Sequence, residues 1–97
     1  MQFVIIAKDR TDPDALSRRM AAREAHLALC AEGKAKGEQR FAVAMMDESG
    51  KMCGSIMVVD MPSREAVDAW LAVEPYMTGN VWDQVEITPC KIGPAFA

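Results

Sequence analysis

The sequence predicts an α+β fold, with a four-stranded antiparallel sheet carrying two helices on one face. Three observations point to it: two stretches of helical periodicity, four stretches of β-type residues, and their order along the chain. Gln2-Phe3-Val4-Ile5-Ile6-Ala7 is aromatic and β-branched and opens as a strand. Leu16, Met20, Arg23, Leu27 and Cys30 recur at steps of four and three, so a helix is expected over about 13–32, with Gly33 ending it. Asp12 or Asp14 stands ready to cap its start. Two strands follow, over 39–46 and 52–60, joined by the turn Asp47-Glu48-Ser49-Gly50-Lys51, in which Gly50 supplies positive φ. Pro62 and Ser63 start a second helix, with the stripe Val67, Trp70 and Glu74, that Pro75 ends. After Thr78-Gly79-Asn80, the run Val81–Ile87 alternates and forms the last strand. The order β-α-β-β-α-β is the ferredoxin-like pattern.

The ninety-seven residues suit a single domain, 1–97, whose core is thin enough to gain from a partner subunit. The strands are apolar on both sides. Phe3, Ile5 and Ala7 back onto Val4 and Ile6; Ser55, Met57 and Val59 onto Ile56 and Val58; Phe41, Val43 and Met45 onto Ala42, Ala44 and Met46. One sheet face is covered by helices, so the other predicts an association surface and a homodimer whose sheets pack into a barrel-like core.

The net charge of −3 argues against a nucleic-acid binder, and the sheet lacks paired aromatics on adjacent strands. Charge is uneven: eight Lys/Arg face six Asp/Glu in residues 1–40, and three face eight in 41–97. Cys30, Cys53 and Cys90 are odd in number and contain no CxxC pair, which suits reduced thiols in a cytoplasm. The apolar start is only seven residues long, with no basic segment before it, so neither a signal peptide nor a membrane partner is expected. One histidine and scattered cysteines do not make a zinc site, and no glycine-rich loop joins strand to helix, so cofactor-free chemistry is implied.

His26, the sole histidine, falls at the edge of the inward face of the first helix, and Glu74 continues the stripe of the second. An imidazole and a carboxylate in such places are the minimum set for proton transfer near neutral pH. His26 is either a helix histidine bonded to a backbone carbonyl or a general acid/base oriented by a carboxylate. Glu74 is either a frayed helix end, or the group that holds the His26 tautomer, or the base itself, with a pKa raised by burial. Tyr76 is a core aromatic or a hydrogen-bond donor to a substrate oxygen. Arg23 interrupts an apolar stripe: its stem packs while its head stays wet, or it clamps an anion, or it pairs with Glu74. Ser55, beside Gly54, allows close packing or offers its hydroxyl to a ligand. Cys30, one turn beyond His26, raises a Cys-His nucleophile pair. Against that pair stand the lack of any oxyanion-hole signature and the common use of Cys as a small core residue.

Arg23-Glu24-Ala25-His26-Leu27, then Gly50 to Gly54-Ser55, then Glu74-Pro75-Tyr76 keep the order R-x-x-H-L, G-x-x-x-G-S and D-P-[YF]. In this the chain resembles the YCII-related family over nearly its whole length. The resemblance implies a dimeric α+β barrel, a His and an acidic residue facing a cleft, and an enzymatic role. The chain departs from the pattern in Glu74 for Asp, in Val43-Ala44 where Gly-Pro is common, and in Asn80 for a Gly. Two functions follow as expectations. One is an acid/base enzyme performing elimination, isomerisation or hydration on a small, oxygenated, anionic molecule. His26 and Glu74 are then catalytic, and Arg23, Ser55 and Tyr76 bind substrate. The alternative is a non-catalytic module binding a small ligand in the same cleft.

Overall fold

A computed structural model describes all residues, 1–97. Its elements are β1 (Gln2–Asp9), α1 (Ala15–Ala35), β2 (Gln39–Met46), β3 (Met52–Asp60), α2 (Arg64–Val73), a short α3 (Pro75–Thr78) and β4 (Trp82–Cys90), followed by a single 3₁₀ turn (Pro94–Phe96). The sheet order is β2-β3-β1-β4, and each neighbouring pair is antiparallel. This is the expected ferredoxin-like βαββαβ architecture.

The core lies between sheet and helices. Phe3, Ile5 and Ala7 of β1 and Met57 and Val59 of β3 meet Val67 and Leu71 of α2, Tyr76 of α3, and Val81 and Trp82. Both main helices therefore lie on one sheet face. Ser63 caps α2, its hydroxyl accepting from the Ala66 amide at 3.1 Å, as the Pro-Ser start predicts. In the β2–β3 turn Asp47 Oδ1 accepts from the Ser49 and Lys51 amides, and Gly50 has φ +83°.

Four local expectations are corrected. Helix α1 passes through Gly33 and runs to Ala35; the left-handed glycine is Gly37, with φ +75°. Gly33 is needed for space, because a Cβ there would sit 3.0 Å from the Gln39 Cβ. Neither aspartate caps α1 with its side chain; Asp12 instead takes Arg18 in a two-point contact of 2.6 and 2.8 Å. The inward face of α1 is Ala15, Arg19, His26 and Gly33, whereas Met20 and Leu27 are half exposed. A shift of one residue turns a helix by about 100°, so the apolar stripe marked the flank of the buried face. Strand β4 continues to Cys90 through Pro89, which an edge strand tolerates because it needs no outward amide.

The opposite sheet face has no helix over it. Register assigns to it Val4, Ile6 and Lys8 of β1, Ile56 and Val58 of β3, and Phe41, Val43 and Met45 of β2. β4 contributes Gln84, Glu86 and Thr88, so the apolar area is bounded on that side by polar groups. No helix is long and apolar enough to cross a membrane.

Candidate active site

The site is built where the end of α2 meets the middle of α1. Glu74 leaves the helical conformation (φ −67°, ψ +126°), because the residue before a proline is pushed toward extended backbone. Pro75 then starts α3, as suits a residue that needs no amide partner in a first turn. Proline thus ends one helix as expected and begins another, short one that the sequence pattern did not predict. Glu74 is the cap of α3: its Oε2 accepts the Tyr76 amide at 2.8 Å. Its other oxygen, Oε1, accepts a hydrogen bond from Nδ1 of His26.

Glu74 is wholly buried and His26 nearly so, and the two form an ion pair inside the chain, across 48 residues of sequence. Burial of the imidazole lowers its proton affinity. The hydrogen bonds His26 makes with Cys30 and Glu74, with the negative charge of Glu74, outweigh this and raise His26 from 6.5 to about 9. At neutral pH His26 is therefore an imidazolium. Its second nitrogen, Nε2, lies 3.5 Å from Sγ of Cys30.

Tyr76 packs its ring flat on the imidazole, with centroids 3.8 Å apart and planes 13° off parallel. Trp82 meets both rings edge-on. Arg19, two turns before His26 on α1, sets its guanidinium over the same tyrosine at 4.7 Å from the ring centroid. Burial raises the Tyr76 hydroxyl above its ordinary value, against the pull of Arg19 and Arg23.

Arg19 and Asp9 form a second buried pair that the sequence reading missed. Arg19 donates to both Asp9 oxygens at 2.8 and 3.0 Å and to Ser55 Oγ at 3.0 Å. Burial raises the Asp9 carboxyl, and Arg19 opposes the rise. The signal for this pair was present. Asp9 is the next inward position after Phe3, Ile5 and Ala7, and Arg19 stands seven residues before His26, on the same helix face.

These groups line a cavity of about 330 Å³ between α1 and the adjoining strands β2 and β3. His26, Cys30, Arg19 and Arg23 come from α1, Ser55 and Met57 from β3, and Tyr76 from α3. On β2 the wall is Ala42, Val43 and Ala44, whose small side chains leave the space open. Of the predicted site residues, His26, Ser55, Arg23 and Tyr76 all line this cavity, and Glu74 lies behind His26. Arg23 is exposed and makes no ion pair, so it does not pair with Glu74. Ser55 is already engaged by Arg19. No cluster of His, Cys, Asp and Glu has the geometry to hold a metal ion.

Among known proteins, Protein YciI of Escherichia coli O6:H1 (strain CFT073) is 31% identical over 97 residues, covering 94% of this chain and 97% of its own. In structure the chain is similar to 5-chloro-2-hydroxyhydroquinone dehydrochlorinase (TftG) of Burkholderia phenoliruptrix AC1100, solved in complex with 2,5-dihydroxybenzoquinone. The TM-score is 0.83, at 22% identity and full coverage of both chains. An antibiotic biosynthesis monooxygenase shares the fold more loosely, with a TM-score of 0.54, 15% identity, and coverage of 97% of this chain and all of the other. The YCII-related domain matches residues 1–91, and on that match the chain belongs to the YCII-related family.

Proposed function

We propose that the chain is an acid/base enzyme acting on a small, oxygenated, anionic organic molecule, in a reaction of the elimination, isomerisation or hydration type. The observation that carries this is the orientation of His26. Glu74 holds Nδ1 from inside the protein, which leaves Nε2 as the one imidazole nitrogen on the cavity side. A histidine raised to about 9 is charged at neutral pH, so its first act is to donate a proton, not to take one. In an elimination it protonates the substrate oxygen or the departing group, and the buried carboxylate of Glu74 balances the charge throughout. Arg23, exposed at the cavity and unpaired, is the natural partner for a substrate carboxylate or phenolate. Tyr76 and Ser55 offer hydroxyls to a second oxygen. None of these steps draws on a cofactor.

The likeness to a dehydrochlorinase seen with a dihydroxybenzoquinone supports the choice of an elimination on a small oxygenated ring. The test begins with the histidine itself, whose NMR signal is unique in this chain. In wild type the imidazole is expected to titrate near 9, and in Glu74→Gln distinctly lower. Equal titration of the two proteins would sink the dyad and leave a non-catalytic binding module. Assay of chloride release from 5-chloro-2-hydroxyhydroquinone follows. A catalytic site gives a rate that falls as pH passes about 9 and is lost in His26→Gln, whereas a binding module gives saturable affinity with no turnover.

A further inference from the structure

Cys30 has a relation to His26 that proton transfer alone does not use. Its Sγ lies 3.5 Å from Nε2, the nitrogen that faces the cavity, while Nδ1 is fixed by the buried Glu74. Thiol, imidazole and carboxylate thus stand in series, with the nucleophile in reach of its base and the base oriented by a third group. The thiol is half-buried and itself lines the 330 Å³ cavity, so a ligand there reaches the sulfur directly. Neither of the other cysteines has a histidine: Cys53 is exposed on β3 and Cys90 is half-buried at the end of β4.

A second observation concerns the same helix, about two to three turns before the sulfur. Arg19 and Arg23 both line the cavity, and Arg23 has no carboxylate partner. A pocket that joins a sulfur nucleophile to a free guanidinium suits a ligand on which negative charge develops at oxygen when carbon is attacked.

We propose that Cys30 is a covalent nucleophile of this cavity, adding through Sγ to α,β-unsaturated carbonyl compounds, quinoid rings included, with His26 as its proton partner. The sulfur electron pair forms a bond to the β-carbon, the carbon–carbon π pair becomes the double bond between the α-carbon and the carbonyl carbon, and the carbonyl π pair moves onto oxygen. That oxygen, beside Arg23, takes the proton from Nε2 of His26. No oxidant or reductant is consumed, and the reverse steps restore thiolate, imidazolium and free ligand. The proposal deepens the acid/base reading of the same cavity, because it rests on His26 as proton donor. It names the substrate class and adds a residue.

The charged and titratable groups around the sulfur are His26, Arg19 and Arg23 on α1, with Glu74 and Tyr76 behind the imidazole; β2 and β3 contribute none to the cavity. The test therefore reads a pH profile. The full chain with Cys53→Ser and Cys90→Ser leaves Cys30 as the only thiol, and its alkylation by iodoacetamide is followed between pH 5 and 10. Alkylation is expected to outpace that of free cysteine toward the acid end of this range, and His26→Gln to lose that advantage. At pH 5.5 the rate should exceed that of free cysteine by at least about three-fold, since thiolate fraction rises faster than nucleophilicity falls. A rate at pH 5.5 no faster than that of free cysteine, or an advantage that His26→Gln leaves in place, overturns the proposal.

The second arm is 1,4-benzoquinone followed by intact-mass and peptide mapping of the wild-type chain at pH 6. One adduct on Cys30, absent in Cys30→Ser, is expected; adducts on Cys53 and Cys90 alone would overturn the assignment. Failure here is distinct from failure of the acid/base reading, which is judged by the His26 titration in Glu74→Gln and does not depend on the sulfur reacting.

Discussion

Two buried ion pairs share one wall of tyrosine, and they differ in what pH does to them. In Arg19–Asp9 the cation is a guanidinium, and burial raises the Asp9 carboxyl against its pull. His26–Glu74 is conditional, because the imidazole loses its proton within reach of ordinary buffers. Its folded value near 9 stands above the ~6.5 of an unfolded histidine. The folded state therefore binds the proton more tightly, and the stability it gains is complete below about pH 6.5 and disappears as pH rises through about 9. For a nearly buried imidazole this amounts to on the order of 3 kcal/mol. Urea unfolding at pH 6, 8 and 10 is expected to show that decline in wild type and a much flatter profile in Glu74→Gln. Parallel profiles in the two proteins would mean that Glu74 does not hold the proton on His26. That His26 and Glu74 belonged together was legible from two inward-facing stripes and the motif order. The Arg19–Asp9 pair left its trace in the inward faces of α1 and β1, but an apolar-stripe argument passes over a buried arginine until its carboxylate partner is known.

At the scale of elements, the segment between α2 and β4 decides whether Tyr76 and Glu74 reach the site. Glu74 in extended backbone, Pro75 at the first helical position and Asn80 in left-handed backbone (φ +59°) fold seven residues, 74–80, into a compact corner. Asn80 stands where the family pattern has glycine, and it adopts the conformation expected of it there. Gly79 is required for a different reason: its φ is ordinary, but a Cβ would lie 2.6 Å from the Pro75 carbonyl oxygen and 3.3 Å from Ala22 on α1. Backbone does not yield as a flexible side chain does. Gly79→Ala is expected to cost about 1–3 kcal/mol and to loosen α3 from α1, lowering the His26 titration midpoint along with stability. Thermal unfolding and the imidazole titration check this; an unchanged midpoint in a destabilised variant would show that α3 holds Glu74 without help from the corner. The strands and both long helices could be read in the sequence because their periods run for many residues. Three features could not: the four-residue α3, the extension of β4 through Pro89 and the rotation of α1 by about one residue. Each is settled by packing against another element rather than by its own pattern.

For the whole molecule, the sheet has one covered face and one bare one. Phe41 and Val43 are about half exposed on the bare face (52% and 50%), beside Val4, Ile6, Ile56 and Val58. Burying such a surface is favourable at roughly 25 cal/mol per Å², and a chain of 97 residues has little other apolar area from which to draw stability. The polar row Gln84, Glu86 and Thr88 on β4 limits the apolar area to the β2-β3-β1 side. A second copy related by a two-fold axis matches it, since a self-complementary patch meets itself. We propose that two chains pair through this face. Light scattering after size exclusion at micromolar concentration should give twice the chain mass of 10.6 kDa. Phe41→Glu, which brings a charge into the apolar face at β2 without touching the helix face, should return the monomer mass while His26 still titrates high. A clean monomer mass for the wild type would sink the proposal. A dimer that withstands Phe41→Glu would move the contact off β2, to some other part of the surface. The pairing also bears on the site, because Val43 belongs to both the bare face and the cavity wall. Association through that strand would fix the β2 side of the pocket, and the monomeric variant should then bind small ligands more weakly than the dimer does.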